Sequence, residues 1–394
     1  MGEVVTRVVG RLVNERLVPA LRPWLEGLDH FGTSPDATVQ VHDRVTRAAA
    51  GGQVVVTLDM VNAFSALFRR PVMEEVMRLE EVCPEAFQYC RWQYSRPAPA
   101  FLQSFTASAV PLLAARGVLQ GEATAAVLFA AVVARVSERV MRNVVVPHPV
   151  ADPMGTGSGP EMLWYADNCN ILAGTVGQAG ELLDVLQPEL ARIGLELCPR
   201  QCALLGPDGA NTVGGGASLR GSPRVDVIEV LGGPVAARNP SASTPTELIQ
   251  QSLRDHARKV IRKLRAISRF PQPQVALYVL KVGGGVARIQ SRWNQGLIYP
   301  AGALMDIERA EWEAFCLSVL RRPSSEVPAG QAARVWAEAT MPRRDGGYGL
   351  KSATEYAALP RDEQEGRRAA DHAFARMCRA SQVRNTRDVL DPLL

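Results

Sequence analysis

One run constrains this chain more than any other: Val54-Val55-Val56-Thr57-Leu58, closing on Asp59. β-Branched residues side by side, with no polar alternation, predict a buried strand. A second acid, Asp167, falls inside a predicted hairpin over Met162 to Ala173, where two apolar runs flank Ala166-Asp167-Asn168. A single acid at a strand end is most often a solvated cap or turn residue. Two such acids invite a different reading, because paired carboxylates on neighbouring strands can hold divalent cations.

The remaining composition narrows the field. The chain has 394 residues, of which 47% are hydrophobic and 21% charged, so it can bury a sizeable core and is not disordered throughout. Its length predicts two or three domains, or one multi-lobed catalytic body. The formal charge of +4 hides a sharp asymmetry. Between Leu253 and Arg292 there are ten Lys and Arg against one acid, Asp255, a net of +9, while the rest of the chain sums to −5. That is the footprint of a polyanion partner held in one place.

Seven Cys without a CxxC pair and five scattered His exclude a zinc site or a disulfide framework, and point to a reducing, intracellular compartment. No signal peptide is visible, and the most apolar run, Ala123 to Ala134, is too short to span a bilayer.

Periodicity predicts two helices over residues 3 to 30, broken near Pro19, then a short helix from His42 to Ala50 and another from Pro71 to Leu79. Helices follow at Gly121 to Val145 and at Gln178 to Ile193, the second ended by Gly194. Leu195 to Leu205 is a strand-pair candidate, and Val225 to Gly232 a strand. Met154 to Pro160 is a Gly-rich turn and Gly206 to Pro223 a Gly/Ser-rich loop. From Pro245 the character changes to long helices, which places a boundary near 240, and residues 369–394 predict a peripheral helix.

Several motifs recur in one order: Val56-Thr-Leu-Asp-Met-Val-Asn-Ala-Phe64, then Gly117-Val-Leu-Gln-Gly121, then Tyr165-Ala-Asp-Asn168. Gly194-Leu-Glu-Leu197, Val230-Leu-Gly-Gly233, Ala276-Leu-Tyr-Val-Leu280 with Gly283 to Arg288, and Met341 to Leu350 come after them. Together these resemble reverse transcriptases of non-LTR retrotransposons over about residues 1 to 360. The resemblance implies an α+β right-hand polymerase: partial fingers at 1–52, a palm with an antiparallel sheet at 53–240, a helical basic thumb at 241–325 and a C-terminal helical extension at 326–394. A group II intron or bacterial retron polymerase is a nearby alternative within the same fold; Gly346-Gly-Tyr-Gly-Leu350 favours the retrotransposon type.

The implied activity is RNA-directed DNA synthesis. It adds dNTPs to a primer 3′-hydroxyl with Mg²⁺ or Mn²⁺, on an RNA template and a DNA primer, and it is nuclear if the element is an active eukaryotic one. By the same resemblance Asp59, Asp167 and Asn168 are the catalytic positions. Asp59, Asp167 and the Met60 carbonyl are the metal ligands. Phe64 is a steric gate against a 2′-hydroxyl, competing with a plain core role. Gln120 lines the nucleotide pocket, with Gly117 and Gly121 admitting template or nucleotide, and Tyr165 lies near the primer terminus. Arg254, Arg258, Lys259, Arg262, Lys263, Arg265 and Arg269 surround an apolar stripe of Leu253, Ala257, Val260, Leu264 and Ile267, and are expected to track phosphates.

Four departures from the family pattern set the competing expectation. Asn168 stands where the family has a second adjacent acid. Cys198 and Gln201 stand where it has Asn and Lys, and Gln cannot serve as a general acid. Glu122 brings an extra acid beside the expected nucleotide pocket. The chain begins just after the basic strand of the family's fingers. The alternative is therefore a catalytically decayed or domesticated reverse-transcriptase-like nucleic-acid-binding protein.

Overall fold

The computed structural model describes residues 2–103, 109–119, 121–143, 159–206, 224–238, 243–341 and 350–358. The chain divides into two compact units, residues 1–251 with 294–297, and residues 252–293 with 298–394. Both mix or extend the elements expected, and the first holds an antiparallel sheet among helices.

The first unit opens with α1 (Gly2–Glu26) and α2 (Ala37–Ala50), followed by β1 (Val54–Leu58). A short turn of helix, α3 (Ala63–Ala66), leads to α4 (Arg69–Val82) and α5 (Pro84–Tyr94). The hairpin β2 (Ala98–Gln103) and β3 (Ala109–Ala114) precedes α6 (Ala125–Asn143). Then come β4 (Glu161–Tyr165), β5 (Asn168–Ala173), α7 (Val176–Arg192), β6 (Ala203–Leu205), and the hairpin β7 (Val227–Val230) with β8 (Gly233–Ala236). The main sheet runs β4-β5-β1-β6, antiparallel throughout.

This order explains the β1 run. Val54, Val56 and Leu58 join the larger core with α1, α4, α5, α6 and α7, whereas Val55 joins a second core with α2 and β7–β8. Both faces of β1 are covered, and its one polar residue, Thr57, is half-buried with its hydroxyl 3.4 Å from the Ala203 carbonyl. Each buried Val or Leu contributes about 1.5–3 kcal/mol of transfer free energy. The β4 edge is also covered: Phe31 N–H donates to the Trp164 carbonyl at 2.8 Å, and Trp164 N–H to the Asp29 carbonyl at 2.9 Å.

Helix α1 corrects the expected break at Pro19. It continues through both Pro19 and Pro23 to Glu26. The prolines are four apart on the exposed face, so the carbonyls they leave without an N–H turn to water. Leu17, Leu21 and Leu25 on the other face are buried and hold the helix together. Helix α2 begins at Ala37, five residues before the expected start. Of the expected Leu195–Leu205 strand pair, only a bridge at Leu197 and the short β6 form. The 154–160 turn, the 206–223 loop, the 369–394 helix and most of the 341–350 motif lie largely outside the described residues.

The second unit is helical. It takes most of α8 (Pro245–Ile267), with α9 (Pro273–Gly283), α10 (Gly285–Asn294), α11 (Ala301–Phe315), a π-helical turn (Cys316–Leu320), α12 (Ala329–Thr340) and α13 (Ala353–Ala358). Leu253, Ala257, Val260, Leu264 and Ile267 are all buried along α8, the stripe read from the sequence. No helix among the described residues is long and apolar enough to cross a membrane.

Candidate functional site

The sheet register brings the two acids together. Leu58 pairs with Cys169, so Asp59, one residue further, reaches the level of Asn168, and Asp167 follows in the β4–β5 turn. That turn is tight: Tyr165 pairs with Asn168, and Ala166 takes the left-handed conformation at φ 52°. Asp59, Tyr165, Asp167 and Asn168 are all half-buried. Burial raises the Asp167 carboxyl above its ordinary range. A backbone hydrogen bond lowers it in part, and the charge of Asp59 raises it further.

Asp59 is held by local backbone. Its Oδ1 accepts the Met60 N–H at 2.8 Å, and its carbonyl accepts the Cys198 N–H at 2.8 Å. Met60 forms an antiparallel bridge with Leu197, flanked by the Val61 N–H to Glu196 carbonyl bond at 2.9 Å. In such a non-hydrogen-bonded pair the carbonyl of Met60 points away from Leu197. The residues present fit a divalent cation in donor type: two mutually repelling carboxylates, whose repulsion a cation relieves, and a main-chain oxygen beside them. Among the described residues no group of three or more His, Cys, Asp and Glu gathers to hold a metal ion.

Phe64 stacks on Phe129 of α6, ring centroids 4.7 Å apart, and is half-buried against the core. Gly117 does not open space for a ligand as expected. At φ 72° it packs on the chain itself: a Cβ there would lie 2.4 Å from the Phe64 carbonyl oxygen. Gly117 N–H donates to Leu67 O at 2.7 Å and Val118 N–H to Phe64 O at 2.8 Å. Gly121, at φ 91°, has open space on its Cβ side, and Gln120 lies outside the described residues.

Glu122 does not present the free acid expected beside the pocket. Its Oε2 accepts from Tyr94 Oη at 2.8 Å, Thr124 Oγ1 at 2.6 Å and Thr124 N–H at 3.0 Å, and its Oε1 accepts from Tyr89 Oη at 3.1 Å. Burial and this carboxylate raise both tyrosine hydroxyls and push the Cys90 thiol up to about 12. The signal in the sequence was the spacing of Tyr89, Tyr94 and Glu122, which carries no meaning until the helices pack.

Arg254, Arg258, Lys259, Arg262, Lys263, Arg265 and Arg269 are all exposed. Arg258 pairs with Asp255 at 3.1 Å. Within the second unit the cationic field reaches further than α8. His256 Nδ1 lies 2.6 Å from Tyr299 Oη, and burial lowers its pKa to about 4, helped by Arg292, Lys259, Lys263 and Arg288. Arg288 and Arg292 of α10 were counted in the basic segment but not singled out. The same unit has a cavity of about 440 Å³ lined by Met305, Arg309, Trp312 and Trp336. Glu308 in its wall is engaged by Trp336 Nε1, Ser352 and Thr354, so the cavity offers aromatic surface rather than a reactive acid.

No protein-family model matches the chain, and no curated protein matches it. Solved structures similar to it include telomerases. An apo telomerase from Candida tropicalis has a TM-score of 0.43 and 10% identity, covering 88% of this chain and 55% of its own. A form of the C. tropicalis enzyme truncated from its C-terminal domain has a TM-score of 0.42 and 12% identity, covering 61% of this chain and 45% of its own. A Candida albicans telomerase, solved with the TWJ fragment of telomeric RNA, has a TM-score of 0.35 and 8% identity, covering 89% and 57%. This chain spans about half the length of these structures. Likeness of that extent is a similarity of path and assigns neither activity nor partner.

Proposed function

We propose that the chain is a reverse-transcriptase-like polymerase of the non-LTR retrotransposon type, whose first unit carries a palm and whose second carries a thumb. The observation that carries this reading is the meeting of Asp59 and Asp167 at neighbouring strand ends, with the charge of one raising the carboxyl of the other. Asp59, Asp167 and the Met60 carbonyl would hold Mg²⁺ or Mn²⁺. When bound, the cation supplies charge stabilisation to a pentavalent phosphorus and lowers the pKa of a primer 3′-hydroxyl.

The chain's own residues divide the remaining work. Met60 N–H orients the Asp59 carboxylate. Phe64, stiffened by its stack on Phe129, offers a flat wall against a sugar 2′-hydroxyl and so favours dNTPs. Tyr165 at the turn faces the primer terminus, and Gly121 borders the nucleotide. The exposed cations of α8 hold an RNA–DNA heteroduplex through phosphates, by shape rather than sequence. In a eukaryotic retroelement this activity belongs in the nucleus.

Asn168 favours a second reading. An amide in place of an acid removes one negative charge from the cation site, and Gln201 cannot protonate a leaving pyrophosphate. A decayed polymerase that retains nucleic-acid binding has these features. Primer extension on an RNA template with Mg²⁺ or Mn²⁺ separates the two. Extension by the wild type and none by Asp59→Ala supports the enzyme. A silent wild type with synthesis restored by Asn168→Asp supports decay. Silence in all three, with intact folding, sinks the polymerase assignment.

A further inference from the structure

Cys198 and Cys202 are joined by a closed helical turn: the Gln201 and Cys202 N–H groups both donate to the Cys198 carbonyl, at 2.9 and 3.2 Å. An i to i+4 bond of this kind sets the two Cα atoms about 6 Å apart. A disulfide spans Cα separations of about 4.4–6.8 Å but needs Cβ atoms about 3.5–4.5 Å apart, closer than the roughly 5–6 Å of an i, i+4 pair, so the turn must shift to close it. Both thiols are free, Cys198 half-exposed and Cys202 buried. An oxidant in solvent therefore reaches the first and not the second. The same turn grips Asp59: its carbonyl accepts the Cys198 N–H at 2.8 Å and lies 3.9 Å from the Cys202 Sγ.

We propose that Cys198 and Cys202 form an oxidation site, at which a peroxide converts the pair to a disulfide and loosens the hold on Asp59. In the first step the Cys198 thiolate attacks one oxygen of hydrogen peroxide. The O–O bond breaks, hydroxide leaves, and Cys198 becomes a sulfenic acid. In the second, the Cys202 thiolate attacks the Cys198 sulfur, the S–O bond breaks and hydroxide leaves as the S–S bond forms. The dithiol gives up two electrons, and with its two protons one peroxide becomes two waters. A thiol reductant reverses the change. The new bond consumes the Cys202 S–H directed at the Asp59 carbonyl and shifts the turn that supplies the other hydrogen bond, from the Cys198 N–H. The effect on cation binding rests on Asp59 being a cation ligand; the disulfide itself does not.

Arg200 lies between the two cysteines, so trypsin separates them in the reduced protein. After treatment of the full chain with hydrogen peroxide and blocking of free thiols, the two peptides are expected to travel as one species that dithiothreitol splits. Cys198→Ser abolishes that species. Cys202→Ala abolishes it too and accumulates a sulfenic acid at Cys198, trapped by dimedone several-fold above the wild type. Mn²⁺ binding to the wild type is expected to weaken about tenfold on oxidation and to recover on reduction. Absence of the linked peptides overturns the oxidation site, whatever the protein catalyses. Linked peptides with unchanged Mn²⁺ binding leave the site standing and overturn its link to Asp59. No Mn²⁺ binding by the reduced protein overturns the ligand role of Asp59, and with it the link, while the linked peptides alone decide the oxidation site.

Discussion

Gly117 shows how a single residue holds the candidate site together. Its φ of 72° belongs to the left-handed region, and a Cβ would meet the Phe64 carbonyl at 2.4 Å and the Ser65 Cα at 2.7 Å. Backbone on both sides leaves nothing that can yield. Gly117→Ala is expected to cost about 3 kcal/mol or more, from backbone strain and overpacking together. Gly121→Ala meets open space and pays only the left-handed backbone cost of about 1–2 kcal/mol. Urea denaturation of the two variants checks this, and equal losses would show that the Phe64 contact is not tight. The sequence shows a glycine at 117 but not what approaches it, because the Phe64 backbone arrives only through the fold. Glu122 is a parallel case: as a residue type it reads as an unwelcome acid, and its two tyrosine partners come from α5, far away along the chain.

Elements were legible in proportion to how strongly their pattern repeats. The α8 stripe and its surrounding cations follow from spacing alone, since only one face can be buried without burying charge. Arg262→Gln with Arg265→Gln removes two exposed cations from this helix. The pair is expected to lower the salt slope of heteroduplex binding by about two, without a change in helical content. Arg47→Gln on α2, which pairs with Asp43, leaves the slope where it was. Fluorescence anisotropy against salt reads both, and a slope unchanged in the α8 variant would remove that helix from the interface. Helix α1 was misread because proline is a strong local signal, yet the burial of Leu17, Leu21 and Leu25 outweighs two missing hydrogen bonds on a wet face. The β2–β3 hairpin and α5 carried no decisive period, and neither was foreseen.

At the scale of the whole molecule, each unit carries a buried titratable group whose charged form burial disfavours. In the first, burial lowers the His30 pKa from 6.5 to about 4. The unfolded chain binds that proton first, so this contribution is full above pH 6.5 and is lost as pH falls toward 4. In the second unit, Glu311 is 2% exposed, and burial raises its pKa from 4.5 to about 8. Its contribution is full below pH 4.5 and is lost as pH rises toward 8, by about 1.4 kcal/mol per pH unit. His256, lowered to about 4, opposes this below pH 6.5, so the net loss falls between pH 6.5 and 8. Calorimetry of Glu311→Gln is expected to show a higher unfolding temperature than wild type near pH 8, a gain that shrinks toward pH 5. A gain of the same size at both would mean that Glu311 is ionised throughout.

The sequence by itself determined the buried central strand, the acids at its end and in the following hairpin, and the basic helix with its apolar stripe. Each of these depends on neighbours one to four residues away, where spacing and side-chain chemistry suffice. Only the tertiary structure decided that both faces of β1 are covered, that Gly117 serves the chain's own backbone, that Glu122 is tied down by two tyrosines, and that two cysteines grip the carbonyl of Asp59. Those contacts join residues far apart along the chain, and packing selects them from many arrangements that local pattern leaves equally good.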